Sequence, residues 1–148
     1  MKNRNGFTII ELLTVIIFMS ILVTVAIRSM GNLQSRTAVR QAQNVFVAMH
    51  ARTRAQAVEF GETVQLEIDA AGDSLWVTRD GTTLETIRLQ NEMGIDIQAE
   101  EDTYTLCMNS RGFANESCNS FDDAVTLYFV QGGDSASVEM LPLGQVVY

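Results

Sequence analysis

The sequence predicts an α+β fold in which one long N-terminal helix packs on a head of antiparallel β-strands. Three observations lead to this prediction. An apolar run extends from Phe7 to Ile27, and apolar residues then recur at helical spacing as far as residue 60. From Gly61 onward, apolar and polar residues alternate, which is typical of half-buried strands. The 88 residues from 61 to 148 are enough for one modest head.

The apolar run has the length and composition of a membrane-spanning helix. Its 21 residues contain a single charged residue, Glu11. At about 1.5 Å per residue, a helix of this length matches the roughly 30 Å hydrocarbon core of a bilayer. Lys2 and Arg4 precede the run and favour a cytoplasmic N-terminus. We therefore expect residues 7–28 to cross a membrane once, with the rest of the chain outside the cytoplasm.

A cleaved secretory signal peptide explains this run less well. Its apolar core would be about 7 to 15 residues long, with a small-residue cleavage site behind it. Here the run is longer, and Arg28-Ser29-Met30 follows it. Glu11 is unusual, because a carboxylate at the centre of a membrane helix costs about 2.5–3.5 kcal/mol, and somewhat less near the end, where Glu11 lies. Glu11 therefore either lies among the lipid headgroups or has a partner of opposite charge.

Residues 29–60 continue the helix with an amphipathic pattern that predicts packing on the head. Gly61 follows as a helix-ending residue. The expected apolar stripe consists of Ala38, Val39, Ala42, Val45, Phe46 and Met49, continued with a slight rotation by Ala48, Ala51, Ala55 and Val58. The expected polar face holds Arg36, Arg40, Gln43, Arg52 and Arg54.

Residues 61–148 read as seven or eight short antiparallel strands. Asp80-Gly81 is a strong signal for a hairpin turn. We expect two packed sheets, or one strongly curved sheet, against the second half of the helix. The predicted strands are 64–69, 75–79, 83–89, 95–98, 103–108, 124–130, 137–141 and 144–148.

Charge is distributed unevenly along the chain, whose net charge is −8. Residues 1–54 carry seven Lys or Arg residues and one acidic residue, whereas residues 55–148 carry three Arg and 17 acidic residues. Proteins bind nucleic acid and anionic lipid largely through Lys and Arg. The acidic head is therefore a poor partner for either.

The residue inventory argues against an enzyme. His50 is the only histidine, and we expect it on an exposed position or at the flank between helix and head. There is no nucleophile elbow and no phosphate-binding glycine loop. Glu100-Glu101-Asp102 reads as a solvated turn, and Trp76 and Phe129 as packing residues. We predict no catalytic residues and no cofactor.

The N-terminal residues carry a specific resemblance. Gly6 is followed by Phe7 and Thr8, an apolar pair, Glu11 and about 16 further apolar residues. This pattern resembles the type III signal of type IV pilins and pseudopilins. The resemblance implies that residues 1–6 are a leader, which a membrane-embedded prepilin peptidase removes after Gly6, and that the new N-terminus, Phe7, is N-methylated.

The same resemblance supplies a partner for Glu11. In a fibre, the freed amino group of Phe7 on one subunit can lie near Glu11 of another. Two unit charges about 4 Å apart attract by about 4 kcal/mol at an effective dielectric of 20. This attraction is comparable to the membrane penalty of the carboxylate, so the pairing would bring subunits into register.

The order of a long helix and a β-rich head resembles the GspH/FimT family of minor pseudopilins and minor pilins. Type IV pilins commonly carry a proline at the position of Arg28, so the bend attributed to that proline has no sequence support here. The segments that carry the resemblance are 51–58 leading into 64–66, the turn Asn109-Ser110-Arg111-Gly112-Phe113-Ala114, and Leu143-Gly144-Gln145-Val146.

This resemblance implies a structural subunit of a type II secretion pseudopilus or a type IV pilus. Such a subunit enters the bacterial inner membrane with its head in the periplasm, and low-abundance members start assembly near the fibre tip. The implied partners are other pilin-like subunits, the prepilin peptidase and the inner-membrane assembly platform. One alternative is a DNA-binding minor pilin, although Gly144-Gln145-Val146-Val147 lacks the arginines of that type. Another is an uncleaved membrane anchor bearing an unrelated β domain.

Cys107 and Cys118 are the only cysteines, and outside the cytoplasm they are expected to form a disulfide. The bond would close a 12-residue loop, which contributes about 3 kcal/mol in the chain-entropy model. Two thiols with only His50 elsewhere do not form a zinc set. Calcium in the acidic loop is a weaker alternative to a solvated surface, because the EF-hand spacing is missing. The loop residues concerned are Asn115, Glu116, Asn119, Asp122 and Asp123.

Overall fold

The computed structural model describes residues 8–148, with the side chains of residues 25–32 left aside. The chain divides into two compact units, one ending at Gln34 and the other covering Ser35–Tyr148. Among the residues described, no helix is both long and apolar enough to cross a membrane.

Helix α1 runs from Ile9 to Phe60, 52 residues, close to the single helix of about 50 residues that the sequence predicts. Its end is set by Gly61, which adopts a left-handed conformation with φ of +69°. Glycine tolerates this conformation at the end of a helix because it has no Cβ. The predicted helix end is therefore confirmed.

The first sheet contains four antiparallel strands in the order β3-β2-β1-β5. Strands β1 and β2 are joined by a tight turn, and β2 and β3 by Asp80-Gly81. Both turn residues have positive φ, 48° and 74°, which is the hairpin geometry that the Asp-Gly pair predicts. The strands are β1 Val64–Asp69, β2 Ser74–Arg79, β3 Thr82–Arg88 and β5 Thr103–Met108.

The second sheet is also four-stranded and antiparallel, in the order β4-β6-β7-β8. The head therefore has two sheets, the first of the two arrangements expected. A short helix, α2 (Leu89–Met93), lies where the sequence analysis predicted only the end of a strand and a connection. The strands are β4 Asp96–Gln98, β6 Val125–Gln131, β7 Asp134–Met140 and β8 Val146–Val147.

A single core joins the two sheets and the second half of α1. The ring of Phe46 on the helix lies 5.9 Å from that of Phe129 on β6, and both side chains are fully buried. Trp76, by contrast, is only half-buried, because it points away from the face of β2 that carries Leu75 and Val77. The packing role predicted for Phe129 is confirmed, and Trp76 lies outside the core.

The buried face of α1 departs from the predicted stripe after Met49. Thr53 and Ala57 continue the buried face, whereas Ala48, Ala51, Ala55 and Val58 are exposed. Thr53 tolerates burial because its hydroxyl donates a hydrogen bond to the Met49 carbonyl, 2.9 Å away. The predicted rotation of the stripe is therefore wrong, and the spacing of three and four residues continues unchanged.

Candidate assembly surface

The first described turns of α1 form an exposed apolar surface. Every residue from Thr8 to Thr24 is exposed, and the large side chains are about half or more accessible, including Ile9 at 87% and Phe18 at 64%. Soluble proteins rarely expose so continuous an apolar surface unless it contacts a membrane or another chain. We refer to residues 9–24 as the open helix segment.

Hydroxyl groups within the open helix segment are satisfied by the helix itself. Thr14, Ser20 and Thr24 each donate to the carbonyl four residues earlier, at 2.8 Å for Ser20 and Thr24. A hydroxyl bonded in this way avoids the cost of an unpaired donor in an apolar environment. The segment can therefore lie in apolar surroundings without unpaired hydroxyl groups. This property was not predicted from the sequence.

Glu11 lies in the first turn of α1. The Glu11 backbone N–H approaches both the Thr8 carbonyl at 3.1 Å and the Thr8 hydroxyl at 3.3 Å, so Thr8 caps the helix. The carboxylate of Glu11 stands on an exposed residue close to the positive end of the helix dipole. Gly6 and Phe7, the predicted processing residues, lie outside the described residues.

Two of the four arginines on the second half of α1 pair with acidic residues of the head. Arg36 Nε lies 3.1 Å from Asp134 Oδ1, and Arg52 pairs with Glu85. Asp134 also accepts a hydrogen bond from Ser35, and this bond, followed by Arg36, holds the pKa of the Asp134 carboxyl below its usual value. The basic helix face and the acidic head thus partly neutralise each other within the unit Ser35–Tyr148.

A polar clamp links α1 to the loop before β8. Arg54 Nη2 donates to the Gly144 carbonyl at 2.6 Å, and His50 Nε2 lies 3.1 Å from the same oxygen. His50 is buried where the helix meets the head, so of the two expected positions the exposed one is wrong. Its burial, followed by the positive charge of Arg54, lowers the pKa of the imidazole, so His50 is held neutral.

The predicted disulfide between Cys107 and Cys118 is confirmed. Both cysteines are thereby used, and no group of three or more His, Cys, Asp or Glu side chains suited to a metal gathers in the described part of the chain. Two of the loop residues that the calcium alternative would use hold the loop together. Asn115 Oδ1 accepts from the Ser117 hydroxyl, and Asn119 Oδ1 accepts from the Cys107 backbone.

Comparisons with known proteins identify the architecture. No protein-family model and no curated protein matches the chain. Two crystal structures of the type IV minor pilin FimU from Pseudomonas aeruginosa, in space groups P21 and P65, are similar to it. The first gives a TM-score of 0.54 at 13% identity, over 76% of this chain and 88% of FimU. The second gives 0.51 at 12% identity, over 73% and 90%. The chain therefore has a type IV pilin-like fold.

Proposed function

We propose that this protein is a non-enzymatic structural subunit of a pilus-type fibre, either a minor pilin or a minor pseudopilin. The observation that carries the proposal is the open helix segment, an exposed apolar helix of residues 9–24 joined to a head of pilin-like fold. In a fibre, copies of such a segment would cover one another, and the heads would form the fibre surface.

The path to the fibre begins in the membrane. The apolar run of residues 7–28 holds the chain in the bacterial inner membrane, with the head in the periplasm. Prepilin peptidase then removes residues 1–6 after Gly6 and methylates Phe7. The assembly platform moves the subunit into a type II secretion pseudopilus or a type IV pilus, near its tip. These steps rest on the sequence pattern around Gly6, Phe7 and Glu11.

Glu11 has a defined role in this proposal. Its exposed carboxylate sits in the first helical turn, where the freed amino group of Phe7 on a neighbouring subunit could pair with it. The pair would be worth about 4 kcal/mol at 4 Å and an effective dielectric of 20. Neutralising Glu11 removes this attraction while leaving the head unchanged.

Intact mass tests the processing step. The full chain is expressed with and without its prepilin peptidase, and the expected product has lost Met1–Gly6 and gained one methyl group. Gly6→Leu should block the change, whereas Gly133→Ala, at a turn position with no neighbour within 4 Å, should leave it intact. A mass that retains the leader in the presence of the peptidase contradicts the proposal and favours the uncleaved anchor.

Fibre content tests the assembly step. We expect Glu11→Gln to lower the amount of this subunit in purified fibres at least about tenfold, because the attraction to Phe7 is lost. Glu59→Gln is the matched control, since Glu59 is an exposed glutamate of the same helix outside the open helix segment. Equal incorporation of both variants contradicts the role of Glu11. Recovery of the subunit in extracellular or in periplasmic fibres distinguishes the pilus from the pseudopilus.

A further inference from the structure

The four strands at the sheet edges differ in how readily they would pair with another strand. An edge strand presents unpaired backbone N–H and C=O groups, and proteins protect such edges by shortness, charge or cover. Strands β4 and β8 have three and two residues, and β3 contains Glu85 and Arg88. Strand β5, Thr-Tyr-Thr-Leu-Cys-Met, has six residues without charge, glycine or proline. Its composition is the most favourable of the four for strand pairing.

Another segment of the chain covers strand β5. The Thr105 N–H donates to the Ser120 hydroxyl at 2.9 Å, and the Ser120 N–H donates to the Thr105 carbonyl at 3.0 Å. The Cys107 N–H donates to Asn119 Oδ1 at 3.0 Å, and the Asn115 N–H donates to the Cys107 carbonyl at 2.8 Å. Four outward-facing backbone groups are thus satisfied by one segment, residues 109–120, which we call the edge guard.

The edge guard is held by the disulfide and by hydrogen bonds, with little core packing. Within it Gly112 is buried and Ala114 packs partly buried against the core, and the other residues are half-buried or exposed. The disulfide from Cys107 to Cys118 ties it to β5, and Asn119 Nδ2 donates to the Pro142 carbonyl at 3.0 Å. Segments with few buried apolar contacts open at low free-energy cost. The disulfide is the covalent restraint that keeps the guard on the strand, and its loss should make opening easier.

We propose that the edge guard prevents β5 from pairing with β5 of a second copy of this chain. In the antiparallel pair, Thr105 lies opposite Thr105 of the other copy. The N–H and C=O of Thr105 both point outward, so the two residues exchange both hydrogen bonds, as in a hydrogen-bonded antiparallel pair.

We take the pairing strand to be β5 of a second copy because, in this register, its outward backbone groups match those of the first copy. Thr103 then faces Cys107, whose N–H and C=O also point outward, and Tyr104 faces Leu106. No charged residue opposes another across the pair. Because the two strands are related by a two-fold axis, the pairing ends at a dimer. This surface requires neither leader cleavage nor Glu11, so it stands apart from the proposed function.

Amide hydrogen exchange on the full chain in detergent micelles tests the proposal. In the double variant Cys107→Ser/Cys118→Ser, the amides at positions 105 and 107 should exchange at least about tenfold faster than in the wild type at low protein concentration. Their protection should return as the concentration rises, together with a larger sedimenting species than the wild type forms in the same micelles. Trp76 on β2, which is paired on both sides, is the internal reference for a folded sheet.

A third substitution separates strand pairing from simple destabilisation. Thr105→Lys places a lysine opposite Glu67 of β1 within the chain, and opposite the same lysine in the pair. In the double variant it should leave exchange fast at every concentration and abolish the larger species. Unchanged exchange in the double variant, concentration-independent exchange, or pairing that survives Thr105→Lys would each overturn the proposal.

A second variant keeps the disulfide. It is needed if loss of the disulfide unfolds the head, which rapid amide exchange at Trp76 would reveal. Asn119→Ala/Ser120→Ala removes the two side chains that accept from the Cys107 and Thr105 N–H groups. The same concentration-dependent protection is expected at positions 105 and 107. Exchange equal to the wild type at low concentration would show that these groups do not guard the edge, and would overturn the proposal.

Discussion

The two ends of helix α1 differ in side-chain burial: the N-terminal end is exposed all round, and the C-terminal end buries one face. From Ile9 to Thr24 every residue is exposed, although most are large and apolar. From Val39 to Ala57 the helix buries one face, and its remaining positions are mostly polar or small. A helix that is apolar all round needs surroundings on every side, whereas an amphipathic helix needs cover on one face.

The two halves of α1 therefore differ in whether their apolar side chains are buried within the protein. The second half of α1 is stabilised within Ser35–Tyr148 by Phe46, Met49 and the polar clamp to Gly144. Every residue of the open helix segment is exposed. Substitutions that act on folding should therefore be found in the second half, and those that act on assembly in the first.

A matched pair of phenylalanines gives the largest expected contrast. Phe46→Ala should lower the free energy of unfolding by about 3–5 kcal/mol, because it removes a fully buried ring that packs on Phe129. Phe18→Ala, on the open helix segment, should leave the unfolding of the head within about 0.5 kcal/mol of the wild type. Denaturant unfolding in detergent, followed by Trp76 fluorescence, measures both. A similar loss of unfolding free energy in both variants would contradict the contrast between the buried and the exposed half of α1.

A matched pair of glycines tests the clamp that holds the covered half of the helix. A Cβ added at Gly144 would lie 2.9 Å from Ala114 Cβ, and φ is +76°. Gly144→Ala should therefore lower the free energy of unfolding by about 2–4 kcal/mol, from strain and overpacking together. Gly132 has a similar φ of +62° but no neighbour within 4 Å, so Gly132→Ala should cost about 1 kcal/mol. Equal losses would show that crowding at the clamp contributes nothing.

The smallest expected effect is the pH dependence of the clamp. Because burial and Arg54 lower the pKa of folded His50, the unfolded chain binds the proton first as the pH falls below about 6.5. This group's contribution to the free energy of unfolding is thus complete above that pH and falls as the solution is acidified toward the folded pKa. His50→Gln keeps a donor for the Gly144 carbonyl and should remove this component of the slope. An unchanged slope between pH 7 and pH 5 would contradict the neutral, buried state of His50.

Features that depend on neighbouring residues were predicted well. Asp80-Gly81 predicts its hairpin because both residues tolerate positive φ, and β1 begins and ends at the predicted residues. The disulfide followed from the presence of two cysteines in a chain expected outside the cytoplasm. The apolar run also predicted a helix, and residues 9–24 are helical.

Features that depend on distant residues were predicted poorly. The stripe on α1 was expected to rotate toward Ala51 and Ala55, because alanine is apolar, whereas the fold buries Thr53. Small residues carry too little hydrophobic free energy to determine a face, and a threonine that bonds the preceding turn is tolerated inside. Helix α2 was missed because five residues give no readable helical period.

The sequence by itself determined the long helix, its end at Gly61, the antiparallel strands and the acidic head, because each rests on residue type and short-range spacing. Three features depend on the tertiary structure alone. His50 is buried, the Gly144 carbonyl accepts a hydrogen bond from Arg54, and residues 109–120 cover β5. His50 and Gly144 are 94 residues apart, so their contact depends on the packing of the whole head. No local pattern encodes which distant carbonyl a side chain will meet or which strand edge a loop will cover.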